Sequence, residues 1–247
     1  MAPPVWYVLP FILVGALLYT SVGHGGATAY LAVLTLAGYA VGDLVTTVLV
    51  LNILAAGIAF VHFQQAGHLR LRLLLPFVIT SVPAAYLGGR LPLSGRAQAI
   101  ILGVALLVGA ARFLLFERPP DLRAPRQGVA FYMGAPLLGA LLGFLAGATG
   151  IGGGIFLSPV LLALGWADIK ETGSVASAFI VLNSAAGLAA KLPTAPVDVA
   201  LLAPLAATVV LGALVGAWAG ARRLRTRAMQ VMLGLVLAVA GVKALLG

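Results

Sequence analysis

Charged side chains are scarce in this sequence. Lysine, arginine, aspartate and glutamate together make up 9% of the 247 residues, whereas about 25% is usual in soluble domains. Apolar residues reach 62%, against an ordinary share of about 45–50%. So few charges could not cover the surface of a soluble fold of this size, but a surface that faces lipid needs none. We therefore expect an all-helical polytopic protein of the lipid bilayer.

Cysteine is absent and acids are few. Without cysteine the chain forms neither disulfides nor thiolate metal sites. Metalloprotease, Walker and nucleophile-elbow motifs are also missing, so the sequence predicts no enzyme, no metal site and no cofactor. The six acids lie at the ends of hydrophobic segments or in one polar stretch, which leaves no buried acid to carry a proton or Na⁺: Asp43, Glu117, Asp121, Asp168, Glu171 and Asp198.

Ten hydrophobic segments follow one another along the chain. They lie at about residues 5–22, 27–38, 43–62, 71–89, 97–116, 128–148, 154–165, 169–190, 197–220 and 228–246. The second and seventh hold about a dozen residues, or roughly 18 Å of helix, too little for a hydrocarbon core about 30 Å thick. Each follows a glycine loop, at 23–26 or 150–154. We expect each to be a half-helix that forms the return arm of a helical hairpin.

The glycine loops also open an internal repeat. Beyond them the spacing between matching residues changes from 127 to 131, where Asn52 matches Asn183 and Arg96 matches Arg227. Matches of asparagine and of rare charges carry more weight than those of glycine, which is common here. The repeat divides the chain into two halves of five segments, 1–116 and 128–247, joined by a polar linker at 117–127. The matching loop glycines are Gly23, Gly25, Gly26 and Gly38 in the first half and Gly150, Gly152, Gly153 and Gly165 in the second.

The fifteen basic residues predict the topology. They are scattered among apolar runs, which does not suit a surface for nucleic acid. If the segments alternate in direction, four fall on one side (Arg90, Arg96, Lys191 and Lys243) and eleven on the other (Arg70, Arg72, Arg112, Arg118, Arg123, Arg126, Lys170, Arg222, Arg223, Arg225 and Arg227). By the positive-inside rule the linker is cytoplasmic and both termini are outside. The halves are then inverted, as is typical of secondary transporters, whose binding site lies near the midplane.

The glycine loops are the first candidates for a binding site. Glycine lets backbone N–H groups approach a ligand closely, and a helix that begins there adds partial positive charge. Two such helix starts could bind an anion without a buried lysine or arginine. The alternative is that these glycines only permit turns and tight packing. The candidates in the loops are Gly25, Gly26, Gly152, Gly153 and Gly154.

Three polar side chains join this candidate site. His24 lies inside the first loop, where its imidazole could donate to an anion or carry a proton. Asn52 and Asn183 lie inside hydrophobic segments, where each amide needs a partner in a neighbouring helix or in the substrate. Either partner is compatible with the sequence. Hydroxyls that can instead bond to their own helices are weaker candidates: Thr20, Thr28, Thr149, Ser158 and Ser177.

Two further glycine series repeat at intervals of four residues. They are Gly139, Gly143 and Gly147, and Gly212, Gly216 and Gly220. This spacing places small residues on one helix face and favours close helix contact. The contact can form inside one subunit or between two, so a homodimer is compatible with the sequence.

The second glycine loop resembles a known family. The stretch G-A-T-G-I-G-G-G-I-F-L-S-P-V-L at 147–161, its glycine-rich counterpart near the N-terminus and N-S-A-A-G at 183–187 look like the TauE/SafE family of sulfite and organosulfonate exporters. The first copy departs from the second, because His24 stands where Ile151 does and Ala32 where Pro159 does. The resemblance implies transport of sulfite, sulfoacetate or related sulfonates across the inner membrane.

Two other functions remain open. One is an anion channel with the same site but no occluded state. The other is a membrane scaffold that transports nothing and assists the assembly of a partner protein.

The charge distribution predicts which positions an impermeant thiol reagent reaches in intact cells. Because the native chain has no cysteine, Gly247→Cys and Ala124→Cys each introduce a single thiol. We expect labelling at Gly247→Cys, outside, and none at Ala124→Cys, in the cytoplasmic linker. Labelling of Ala124→Cys alone would show the opposite orientation, with the linker outside the cell.

Overall fold

The computed structural model describes residues 4–39, 41–91, 103, 107, 110, 111, 114 and 129–246. Every regular element within them is helical, and the five isolated residues are helical as well. The first half contains a 3₁₀ turn at Val5–Tyr7 and helices α1 Leu9–Ser21, α2 Ala27–Leu36, α3 Val41–Gln65 and α4 Leu71–Arg90. The second half contains α5 Val129–Thr149, α6 Gly154–Ala163, α7 Ile169–Lys191, α8 Val199–Trp218, a π-helix at Ala219–Arg223 and α9 Thr226–Leu246.

Among the residues that the structure describes, five stretches are long and apolar enough to cross a membrane. They are Leu44–Gln65, Leu71–Arg90, Phe131–Thr149, Ile169–Lys191 and Val199–Arg223. The expectation of a multi-pass, all-helical protein is therefore confirmed. The segment expected at 97–116 is described at five positions only, and the linker at 117–127 lies outside the described residues.

The first segment is shorter than the sequence suggested. Instead of a continuous helix over 5–22, α1 has 13 residues, about 20 Å of helix. It ends where Gly23 adopts φ 79° and the N–H of His24 donates to the carbonyl of Tyr19 at 2.8 Å. This reversal, common where helices end in glycine, turns the chain into the first loop.

The two short helices, α2 and α6, begin in the same way. Gly26 precedes α2 with φ 96°, and Gly153 precedes α6 with φ 75°. A residue with a Cβ atom would be strained in this left-handed conformation. Each helix has 10 residues, as the short hydrophobic segments predicted.

Helices α3 and α7 form the centre of the bundle. They contact each other, and α7 also packs against α4 while α3 packs against α8. The outer layer contains two close helix pairs, α4 with α5 and α1 with α8. The short helices α2 and α6 lie against α3 and α7 respectively, so both glycine loops are carried to the central pair.

The two glycine series form the tight helix contacts that their spacing predicted. A Cβ atom at any of these six glycines would collide with the facing helix. Both contacts lie within one chain, which leaves a homodimer as an untested prediction. Gly139, Gly143 and Gly147 of α5 face Phe77, Ser81 and Ala85 of α4. Gly212 and Gly216 of α8 and Gly220 of the following π-helix face Leu13, Leu17 and Ser21 of α1.

Three acids of the second half cap helices. The Asp168 carboxylate accepts from the N–H groups of Lys170 and Glu171, and Glu171 accepts in return from the N–H of Asp168. This is a capping box at the start of α7. Asp198 accepts from the N–H of Leu201 at the start of α8. These acids stabilise helix ends, as their places in the sequence suggested.

Substitution of Gly216 tests the close contact between α1 and α8. In Gly216→Ala the new methyl group would meet the carbonyl of Leu17 and the hydroxyl of Thr20, so the fold should lose about 1–3 kcal/mol through overpacking. Gly57→Ala is the matched control, because nothing lies within 4 Å of a Cβ there and alanine favours helix. Thermal unfolding in detergent should rank the proteins Gly57→Ala, wild type, Gly216→Ala. Equal midpoints for the two variants would contradict the tight contact.

Candidate functional site

A small cavity lies where the two glycine loops meet the central helices. Its walls come from α1, α2, α3, α6 and α7 and from both loops. The cavity has a volume of about 10 Å³, close to the space that one water molecule needs. None of the lining residues carries a formal charge: Tyr19, His24, Gly25, Gly26, Ala27, Thr28, Asn52, Ile151, Ile155 and Ile180.

The amide of Asn52 joins the two halves at this cavity. Its Oδ1 accepts from the N–H of Ala27 at 3.2 Å, in the first turn of α2. Its Nδ2 donates to Oγ of Ser184 on α7 at 2.9 Å, with a longer contact of 3.5 Å to the carbonyl of Ile151 in the second loop. Asn52 is 1% exposed, so it is a buried amide whose oxygen and nitrogen are both bonded.

His24 also bridges the halves. Nδ1 faces the carbonyl of Val22 at 3.1 Å, and because a carbonyl only accepts, this nitrogen carries a proton. Nε2 lies 3.2 Å from Oγ of Ser158 on α6, and that hydroxyl is 3.1 Å from the carbonyl of Gly154.

In this arrangement both ring nitrogens of His24 have hydrogen-bond partners, whether the ring is neutral or charged. In the neutral ring, Nε2 accepts from the hydroxyl of Ser158. In the charged ring, Nε2 donates to that oxygen while the hydroxyl donates to the carbonyl of Gly154. Neither state requires heavy atoms to move, so the side chain can gain or lose a proton without breaking the link between the halves.

A hydrogen bond between two hydroxyl groups closes another wall of the cavity. The hydroxyls of Tyr19 on α1 and Thr28 on α2 lie 2.7 Å apart. The bond ties the end of α1 to the first turn of α2, across the loop that carries His24. The first hairpin is therefore held closed by side chains as well as by its glycine turn.

Loop glycines allow the backbone to pack against the site. A Cβ at Gly25 would strike Oδ1 of Asn52, and one at Gly26 would strike the ring of Tyr30. A Cβ at Gly152 would meet Nδ2 of Asn52 and Oγ of Ser184. These three loop glycines are therefore places where no larger residue fits without displacing a neighbour.

The structure does not bring all the predicted residues to the cavity. His24, Gly25, Gly26 and Asn52 line it, and Gly152 lies directly behind the Asn52 amide.

Gly153 and Gly154 lie farther back and pack against α7. A Cβ at Gly153 would meet Ala146 and the Phe179 ring, and one at Gly154 would meet Ile180. The N–H of Gly154 donates to the carbonyl of Gly152 at 3.1 Å.

Asn183, the counterpart of Asn52 in the repeat, does not line the cavity. Its Nδ2 donates to the carbonyl of Phe179 in its own helix at 2.8 Å. Its Oδ1 is buried and has no hydrogen-bond partner among the described residues. The two asparagines match in sequence but have different environments.

Sequence reasoning missed Ser184, Tyr19 and Ile180. Ser184 follows Asn183 in the motif at 183–187, and its place in that motif is the one feature of the sequence that could have marked it as a site residue. Tyr19 and Ile180 resemble ordinary apolar segment residues, and only the packing of α1 and α7 around the loops brings them to the site.

Comparison with known proteins gives the family. The family model described as "Sulfite exporter TauE/SafE" matches residues 8–244. A relative from Sinorhizobium fredii (strain NBRC 101917 / NGR234), described as "Probable membrane transporter protein y4hK", is 32% identical over 233 residues, which cover 93% of this chain and 94% of the relative. No solved structure matches the chain. The match extends over nearly the whole bundle and both glycine loops, and the chain belongs to the sulfite exporter TauE/SafE family.

Proposed function

We propose that the chain is a secondary transporter that moves small sulfur-containing anions, sulfite or organosulfonates such as sulfoacetate, across the inner membrane by alternating access. The family supports transport in general, and the family's name supports a sulfur oxyanion. The observation that carries the proposal is the meeting of two glycine-loop helix starts at one cavity, joined by the buried amide of Asn52.

An inverted repeat agrees with the pairing of the helices. The contact between α1 and α8 corresponds to that between α5 and α4, because α1 matches α5 and α4 matches α8 in the repeat. The correspondence extends to individual residues at the offsets of 127 and 131. Ala16 meets Gly212 as Gly143 meets Ser81, and Thr20 meets Gly216 as Gly147 meets Ala85.

The cavity suits an anion held by neutral donors. The starts of α2 and α6 each contribute partial positive charge, and no acid lines the cavity to repel an anion. The amide of Asn52 and the ring of His24 lie beside these helix starts. Sulfite and sulfonate oxygens accept several hydrogen bonds at once, which such a site provides.

The size of the cavity agrees with a closed state. A sulfonate group is larger than a water molecule, so the walls must move apart before it enters. Tyr19 and Thr28, which share a hydrogen bond across the first hairpin, are placed to separate when this happens. Movement of the two halves around a fixed site is the usual mechanism of inverted-repeat transporters.

We further propose that transport is outward and that the linker lies in the cytoplasm. The family description supports export, and the excess of basic residues supports a cytoplasmic linker with both termini outside. His24 supplies the cavity with one group that can carry a coupling proton, because both its protonation states are hydrogen-bonded.

Transport by the purified protein in liposomes tests this function. We expect uptake of sulfite or sulfoacetate that saturates with concentration and shows counterflow against the unlabelled anion. Saturable uptake without counterflow would favour the channel. No movement of sulfite, sulfoacetate, taurine, thiosulfate or sulfate would favour the scaffold.

Gly25→Ala tests the position of the site. The new methyl group would displace the Asn52 amide oxygen, and because each charge-assisted hydrogen bond is worth about 1.5–3 kcal/mol, affinity should fall about tenfold or more. Calorimetric titration with the best anion of the panel gives the dissociation constant.

Gly88→Ala is the matched control for that substitution. Its methyl group would meet the carbonyl of Phe144 at the contact between α4 and α5, so stability should fall while the folded protein keeps its affinity. Wild-type affinity in Gly25→Ala would place the binding site elsewhere.

A further inference from the structure

One end of the bundle is tied together by an ion pair. Nε of Arg70, just before α4, lies 2.7 Å from Oε1 of Glu171 in the first turn of α7. The Arg70 side chain is about half exposed and that of Glu171 is largely buried, at 46% and 16% exposed. The other oxygen of Glu171 completes the capping box with Asp168. The pair thus joins the turn between α3 and α4 to the start of α7.

A backbone carbonyl of the π-helix receives two side chains at the same end. Nε2 of His68 lies 3.2 Å from the Ala221 carbonyl, and Nζ of Lys170 donates to it at 3.4 Å. Because a carbonyl only accepts, Nε2 of His68 carries a proton. Short π-helical turns occur frequently at functional sites. We call His68, Arg70, Lys170, Glu171 and the Ala221 carbonyl the latch.

Buried hydroxyl groups follow the latch along α7. Thr172 is 1% exposed and Ser174 is 0% exposed, and neither hydroxyl has a hydrogen-bond partner among the described residues. Ser177, one turn further, donates only to the carbonyl of Ser174. Leaving a buried hydroxyl unpaired is costly. These groups lie on α7 between the latch and Ile180 of the cavity wall.

The first glycine loop touches the same segments as the latch. Gly23 lies so close to Gly173 on α7 that a Cβ would strike its backbone. Gly220 of the π-helix lies equally close to the carbonyl of Ser21, where α1 ends. The loop that carries His24 therefore contacts α7, and the end of α1 that leads into this loop contacts the π-helix. A shift of this loop must move α7 or the π-helix.

We propose that Ser174 and Ser177, which share one face of α7, line the path by which the anion reaches the cavity from the cytoplasmic end, and that the latch closes this path. When the latch separates, water and the anion reach the Ser174 hydroxyl, which has no hydrogen-bond partner among the described residues in the closed state. The proposal rests on the transport function proposed above. It assigns the path to α7 and the gate to the contacts among the α3–α4 turn, the start of α7 and the π-helix.

Cysteine accessibility in inside-out membrane vesicles tests the latch. Ser174→Cys introduces the only thiol, and the rate of its reaction with an impermeant maleimide is measured without added anion. Adding Glu171→Gln removes the charge but keeps the capping box, since glutamine serves at that position; Arg70→Gln removes the other partner. Each should speed labelling about two- to fivefold, as expected from loss of a partly exposed ion pair. The double variant should be no faster than the single ones, because both break the same contact.

Two matched controls separate the latch from general loosening. Arg72→Gln removes an exposed arginine two residues from Arg70 and should leave labelling unchanged. Val175→Cys places the thiol in the hydrophobic core beside Ser174 and should stay unreactive when the latch is broken. Unchanged labelling of Ser174→Cys, or an equal increase at Val175→Cys, would overturn the proposal.

The transport assay separates a failure of the latch from a failure of the proposed transport function. Labelling does not require transport, so a protein that moves anions but shows no effect of Glu171→Gln would overturn the latch alone. A wild-type protein that moves no anion would overturn the proposed function and the role of the path with it.

Discussion

A buried amide at the centre of the bundle allows the chain to interrupt its helices there. In a bilayer, backbone N–H and C=O groups need partners inside the protein, and irregular backbone is tolerated only where protein or a polar cavity surrounds it. Asn52 supplies such partners for the N–H of Ala27 and, at longer range, for the carbonyl of Ile151. The central position of α3 and α7 follows from this requirement, because these helices cover both loops.

Local chemistry made the helix starts predictable, and packing decided the rest of the site. Glycine at 26 and 153 predicts where α2 and α6 begin, since few other residues adopt positive φ. Asn52 and Asn183 hold matching places in the predicted repeat, yet only Asn52 meets a neighbouring helix start. The difference depends on how α7 packs against the loops, and this is not encoded in the spacing of either residue.

Long-range contacts between polar groups could not be predicted from the sequence. Arg70 and Glu171 each suit a helix end, but no pattern in the sequence around either residue predicts that the two form an ion pair. The same holds for Ser158, whose hydroxyl could have bonded only within its own helix and instead also meets His24. By contrast, the glycine spacing at four residues predicted close helix contacts, because that pattern needs no knowledge of the partner.

All six glycines of the two four-residue series belong to the second half of the sequence, although Gly88 of the first half also lies in the contact between α4 and α5. The atom of the first half nearest to a Cβ at each of these six is a backbone carbonyl oxygen, on α1 in one contact and on α4 in the other. A pairing of α5 with α8 would place one glycine series against the other, whereas the observed pairs place each series against the backbone of a helix from the first half. Each half therefore forms its closest helix contact with the other half, so a fragment that contains one half alone would lose both of these contacts.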